Sequence, residues 1–223
     1  MKLSKQKFND LLQKNKLAIS FIGMSNMGKT YWSKQFATIH FTHKNCDDMI
    51  ETKLAPELIA HGYSGIADVS RWMGQPYEKR SFANQQKYLV FEKEVMKQML
   101  TELKNDAKQN TVIDTTGSVI HTGARICATL KKRTLMIYIK ATDDMKEVMF
   151  KKYIAEPKPV IFGNVFNQKK GESNTEALKR CYKKLLTVRS ALYKKYADVV
   201  IPREAISEKT SLKQFITLVE KML

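Results

Sequence analysis

The sequence predicts an α/β protein of three layers, α/β/α, around a five-stranded parallel sheet, and three observations predict it. An apolar run, Leu17 to Ile22, breaks at Gly23 and is followed by a helical segment from Lys29 to Ala37. Between the two, Gly23, Gly28, Lys29 and Thr30 stand at the spacing G-x-x-x-x-G-K-[ST], the phosphate-binding P-loop. Downstream, short apolar runs alternate with longer segments of helical period, the order that builds a parallel sheet with helices on both faces.

The elements follow in order. Met1 to Lys16 is expected to be a lysine-rich amphipathic helix with Phe8, Leu11 and Leu12 on one face. After the P-loop helix, Ile39 to Asn45 reads as a short edge strand. Residues 48–62 carry Ile50, Leu54 and Leu58 at helical spacing, weakened by Pro56 and stopped by Gly62. A short helix is expected to begin at 64–69, before a turn at Gly74 and Pro76. A long helix is expected from Ser81 to Asp106, with Tyr88, Val95, Met99 and Leu103 on one face. Strands are expected at Thr111 to Asp114, Leu135 to Ala141 and Asp198 to Ile201. The helices between and after them are expected at Ala124 to Leu130, Asp143 to Lys152, Thr175 to Tyr196 and Ser207 to Leu223, the last capped by Ser207. Residues 153–173, with Pro157, Pro159, Gly163, Gly171 and several lysines, read as a mobile loop outside the core. The whole is one P-loop NTPase domain over 1–223, with a helical region at 47–108 and a lid at 153–173.

Composition narrows the class. The chain has 223 residues, enough for one α/β domain and short for two. At 43% hydrophobic residues it has the makings of a core, and no apolar run approaches the ~20 residues that cross a bilayer. Cys46, Cys127 and Cys181 lack metal or redox spacing, which suits a reducing cytoplasm. The net charge of +17 admits nucleic acid, an anionic membrane surface or an anionic small ligand. Because it is lysine spread along the whole chain, a solvated surface is the simpler expectation, and nucleic acid and membrane are not expected partners. The chain is expected to act as a monomer.

The P-loop carries the clearest chemistry. Glycines let the backbone wrap closely enough for successive N–H groups to point at phosphate oxygens, and the following helix adds its positive end. Residues Gly23, Met24, Ser25, Asn26, Met27, Gly28, Lys29, Thr30 and Tyr31 are therefore expected to hold ATP. Lys29 reaches the β- and γ-phosphates in this scheme, and the Thr30 hydroxyl holds Mg²⁺. Asp114, ending the strand Val112-Ile113-Asp114, is either the acid that holds Mg²⁺ through water or an ordinary strand-end turn residue. The strand ends gather Gly23–Thr30, Asn45–Asp48, Asp114–Ser118 and Pro202, where the ligand site of such a sheet lies.

With its segments in this order, the chain resembles shikimate kinase, within the wider nucleoside-monophosphate-kinase-like group, over residues 15 to 222. The carriers are the P-loop, Asp47 in Asn-Cys-Asp-Asp-Met-Ile-Glu, Gly65-Ile66-Ala67-Asp68, Lys158-Pro159-Val160-Ile161 and Arg189-Ser-Ala-Leu-Tyr193. The resemblance implies that Asp47 contacts the acceptor hydroxyl and takes its proton; a helix-capping role is the alternative. It implies that Arg189 holds a substrate carboxylate, against the alternative of an exposed helix charge. It sets Lys158 where the family has a lid arginine on the transferring phosphoryl, a point charge in place of a planar fork. Thr116, Gly117 and Ser118 stand for a triple-glycine substrate loop, and Lys151 falls near the adenine. Asn45 replaces an acid that supports the Mg²⁺ shell, with Asp114 as a substitute charge. Leu89 falls where the family has a second substrate-binding arginine, and the stretch from Asp47 to Leu89 is longer than the family spacing.

The expected activity is transfer of the ATP γ-phosphate to a hydroxyl of a small metabolite, with shikimate one possibility. Asn45, Leu89 and Lys158 also fit a nucleotide-binding module with weakened catalysis. The charge and the longer acceptor region fit, less well, a kinase of nucleotides or nucleic-acid ends.

Overall fold

The computed structural model describes residues 3–105 and 109–223. The expected helix ends at Met1 and Asp106, and the 106–108 end of the helical region, lie outside the described residues. Among the described residues five strands form one parallel sheet: β1 (Ala18–Ile22), β2 (Thr42–Asn45), β3 (Thr111–Asp114), β4 (Leu135–Lys140) and β5 (Val199–Pro202). Their order is β2-β3-β1-β4-β5. The expected parallel sheet, with its edge strand at 42–45, is therefore present.

The strands are apolar because both faces are covered: Ile19, Phe21, Ile22, Val112, Ile113, Ile137 and Ile139 are all fully buried. Over one face lie α1 (Lys5–Gln13), α2 (Lys29–Ala37) and α9 (Leu212–Lys221). Trp32 of α2 stacks on Phe215 of α9 with ring centroids 4.0 Å apart, and Phe21 and Phe36 close the cluster. Over the other lie α5 (Ser81–Asn105), α6 (Ala124–Arg133), α7 (Met145–Ala155) and α8 (Asn174–Tyr196), with α8 packed on both α6 and α7. Helices α3 (Cys46–Ala60) and α4 (Ile66–Met73) pack with each other and with α5. Helix α3 runs through Pro56 without ending there. No helix among the described residues is long and apolar enough to cross a membrane. The three cysteines are free and buried.

Three expectations need correction. The second strand starts at Thr42, not Ile39, because α2 winds off through Thr38–His40, with His40 left-handed at φ 66°. Helix α9 is capped by Ser211, whose hydroxyl accepts from the Gln214 N–H while Gln214 bonds back, a capping box; Ser207 instead closes a turn with Thr210. Finally, the lid is not outside the core along its length. Ile161 and Phe162 are buried at 2% exposure, and Phe162 packs among Tyr153, Phe166 and Tyr182.

Candidate active site

The P-loop leaves β1 at Gly23, whose φ of 141° and whose distance to Ile139 admit no side chain: a Cβ would come within 2.8 Å of the Ile139 carbonyl oxygen. Asn26 (φ 65°) and Gly28 (φ 97°) complete a left-handed turn that delivers the chain into α2. Met24 and Met27 turn their side chains into the core, so their backbone faces the loop. Ser25 is half-buried; Asn26, Thr30 and Tyr31 are exposed. Lys29, buried, donates to the Met24 carbonyl at 3.0 Å, bridging the loop it belongs to. Burial pushes the Lys29 ammonium below its ordinary value, while the carboxylates of Asp114 and Asp47 pull it back up.

Asp114 ends β3 in register between Phe21 of β1 and Asn45 of β2. Its Oδ2 is buried without a hydrogen-bond partner among the described residues, so it makes no turn of the kind a strand-end Asp forms. An orphaned buried carboxylate oxygen beside a P-loop lysine fits a divalent cation or its water shell. Asn45, one strand away, is engaged elsewhere, since its Oδ1 accepts from the Asp47 N–H at 3.0 Å and caps α3. Asp47 is therefore not the cap, and its carboxylate is left for the cleft. Tyr88 donates to Asp47 Oδ1 at 3.3 Å. Burial raises the Asp47 pKa, Lys29 opposes that rise and Asp114 adds to it. Lys158 is exposed, yet its charge also reaches Asp47.

The Thr116-Gly117-Ser118 loop faces the same cleft. A Cβ on Gly117 would lie 3.3 Å from Ser25 Oγ and 3.5 Å from Arg189 Nη1, so the loop sits between the P-loop and α8. Tyr193 of α8 donates to the Gly117 carbonyl. Arg189 is 4% exposed, which excludes a surface charge. Its Nη2 donates to the Ile161 carbonyl at 2.7 Å and its Nε is buried without a partner among the described residues. Lys151 lies exposed on α7, and no hydrogen bond or ion pair among the described residues ties it to the P-loop. Leu89 packs against the core from α5.

Sequence reasoning missed Glu92. This α5 residue is fully buried, and its carboxylate accepts from the hydroxyls of Thr116 and Ser118, the latter at 2.9 Å. The two hydroxyl residues standing for glycines thus have a local partner. A signal was there: position 92 falls four residues after Tyr88 and three before Val95, on the face that helical spacing turns inward, and a carboxylate on that face needs a buried partner. Burial pushes the Glu92 pKa from 4.5 to about 7. Stability from this group is complete below about pH 4.5 and falls as pH rises towards 7, since the folded state holds a proton that the unfolded chain has released. Glu92→Gln is expected to flatten that fall, worth ~3 kcal/mol, in denaturant titrations at pH 5 and pH 8. His121, half-buried in the turn that follows the loop, has a buried Nε2 unpartnered among the described residues and a pKa held down to about 4 by burial and by Arg189.

Beyond this cleft, a cavity of about 740 Å³ opens between the α4–α5 turn and residues 155–159. Lys158, Tyr63, Arg71 and Arg80 are among its lining.

No family model matches this sequence, and no curated protein matches it. Solved structures do match. A shikimate kinase from Bacteroides thetaiotaomicron is similar at a TM-score of 0.59 and 15% identity, over 92% of this chain and 97% of that one. A shikimate kinase from Acinetobacter baumannii, in complex with shikimate, gives 0.57 and 17%, over 92% and 90%. One from Aquifex aeolicus gives 0.54 and 17%, over 92% and 97%. The chain is shikimate-kinase-like in fold, an α/β P-loop architecture preserved although few residues are shared.

Proposed function

We propose that the chain is an ATP-dependent kinase that transfers the γ-phosphoryl group to a hydroxyl of a small metabolite. The observation that carries this is the convergence of Lys29, Asp47 and Asp114 beyond the ends of β1, β2 and β3, where both carboxylates act on the Lys29 ammonium and Lys29 and Asp114 act on Asp47. A P-loop lysine, an acid able to accept a proton and an acid with an unpartnered oxygen are the parts phosphoryl transfer needs. The likeness to shikimate kinases supports the fold on which those parts sit.

In this reading the N–H groups of residues 23–30 hold the phosphates, and Lys29 leaves the Met24 carbonyl for the β- and γ-oxygens. Asp47, whose pKa burial raises and Lys29 draws part of the way back, faces the acceptor hydroxyl and receives its proton in its ionised form. The acceptor oxygen forms the new bond to the γ-phosphorus as the bond to the β–γ bridging oxygen breaks, and ADP leaves. The Thr30 hydroxyl and Asp114 would hold Mg²⁺, directly or through water, and the ion would supply neutralising charge on the phosphate oxygens. Lys158, on the lid, adds a further positive charge near the transferring group, and closure of the lid excludes water. Arg189, Gly117 and the 116–118 loop line the acceptor's seat.

The test is ADP release from the purified chain with Mg-ATP across a panel of hydroxylated metabolites, shikimate among them. Acceptor-dependent release is the expected result. ATP binding without release in the presence of any acceptor would replace the kinase with a nucleotide-binding module.

A further inference from the structure

The seat nearest Asp47 suits a small carboxylate acceptor poorly. Leu89 brings no charge to it. Glu92, buried behind the 116–118 loop, brings no positive charge and occupies the hydroxyls of Thr116 and Ser118. Arg189 already commits one guanidinium nitrogen to the Ile161 carbonyl. The open space lies further out, in the 740 Å³ cavity, which falls in the size range that encloses ligands of about drug size. It is built by residues 63–80, within the stretch between Asp47 and Leu89, and by residues 155–159.

Its walls differ in kind. Tyr63, Pro157 and Pro159 offer apolar surface. Arg80 is engaged, with Nε on Glu78 at 3.1 Å and Nη2 on the Arg71 carbonyl at 3.2 Å. Arg71 bonds Asp68 through Nη1 alone and keeps 73% of its side chain exposed, and Lys158 has no ion pair among the described residues. Two cations with free donors therefore stand over a hollow that Glu78 and Glu156 also line, and Lys158 is near enough for its charge to act on Asp47.

We infer that the acceptor is a hydroxylated small molecule larger than shikimate, with an apolar body against Tyr63 and the prolines and an anionic group on Arg71 and Lys158, remote from the hydroxyl presented to Asp47. This rests on the kinase reading above and assigns its acceptor class. An anion held by an arginine is a charge-assisted interaction worth about tenfold or more in affinity.

The experiment is equilibrium calorimetry on the full chain, with a non-hydrolysable Mg-ATP analogue filling the nucleotide site. Its probes are phenyl glucoside 6-phosphate, phenyl glucoside and shikimate. The phosphorylated glucoside is expected to bind about tenfold more tightly than either of the others. Arg71→Glu, a change at an exposed position, is expected to erase that difference and leave the affinity for the ATP analogue unaltered. Equal binding of the two glucosides, shikimate binding as tightly as the phosphorylated probe, no binding of any probe, or an unchanged preference in R71E would each overturn the inference. The kinase reading fails by a different result, absence of binding by the ATP analogue itself.

Discussion

Lys29→Ala is expected to lower kcat by about a thousandfold, by analogy with the loss of a charge that stabilises a transferring phosphoryl group. This ammonium is buried against the Met24 carbonyl, with the Asp114 and Asp47 carboxylates both acting on its charge. Its removal takes away the group proposed to reach the phosphates and also a charge that opposes the rise burial gives the Asp47 pKa. The two effects act in the same direction. Steady-state ADP release measures the loss, and a thermal melt of the variant establishes that the fold persists. A variant that turns over at the rate of the unaltered chain would remove Lys29 from the chemistry and with it the P-loop mechanism.

Asp47→Asn is expected to cost about a hundredfold to a thousandfold in kcat, the range for losing a positioned proton acceptor. The pH profile separates this from mere loss of a contact. Asp47 has a pKa raised above 3.8 by burial, so activity of the unaltered chain should rise with pH as this group ionises. In the Asn variant that acidic limb should vanish, because an amide has nothing to titrate there. An unchanged limb together with a lowered rate would make Asp47 a positioning residue and assign the limb to another group. Tyr88 offers an internal comparison. Its hydroxyl donates to Asp47 Oδ1, and Tyr88→Phe should move the limb to higher pH, since a bond favouring the ionised form is lost.

The sheet and the backbone of the P-loop turn are legible in the sequence because their signals are local. Glycine at 23 and 28, lysine at 29 and an apolar run before them are contiguous, and the backbone conformation they require is set within a few residues. The acceptor side depends on partners distant in sequence. Ile161 and Phe162 sit between Pro159 and Gly163, which read as loop, yet a glutamine 77 residues earlier accepts from the Phe162 N–H. Glu92 reaches Thr116 and Ser118 across 24 and 26 residues. The α9 cap is ambiguous for the opposite reason, a surplus of local signal. Ser207 and Ser211 are both credible N-caps by type, and only the second has Gln214 three residues on to reciprocate.

The lid is fastened at its base. Gln85 Oε1 accepts from the N–H groups of Phe162 and Gly163, at 2.8 and 3.3 Å, while Arg189 holds the Ile161 carbonyl and the Phe162 ring is packed on three sides. Helix α7 ends at Ala155. The length of chain free to swing between these two anchors is thus only 156–160, with Lys158 at its middle. A tether that short explores few arrangements, so most of the ordering entropy of closure has already been met when the chain folds. In the proposed kinase cycle, closure then has little disorder to remove, and Lys158 sits on a segment whose ends are fixed by α5, α7 and α8.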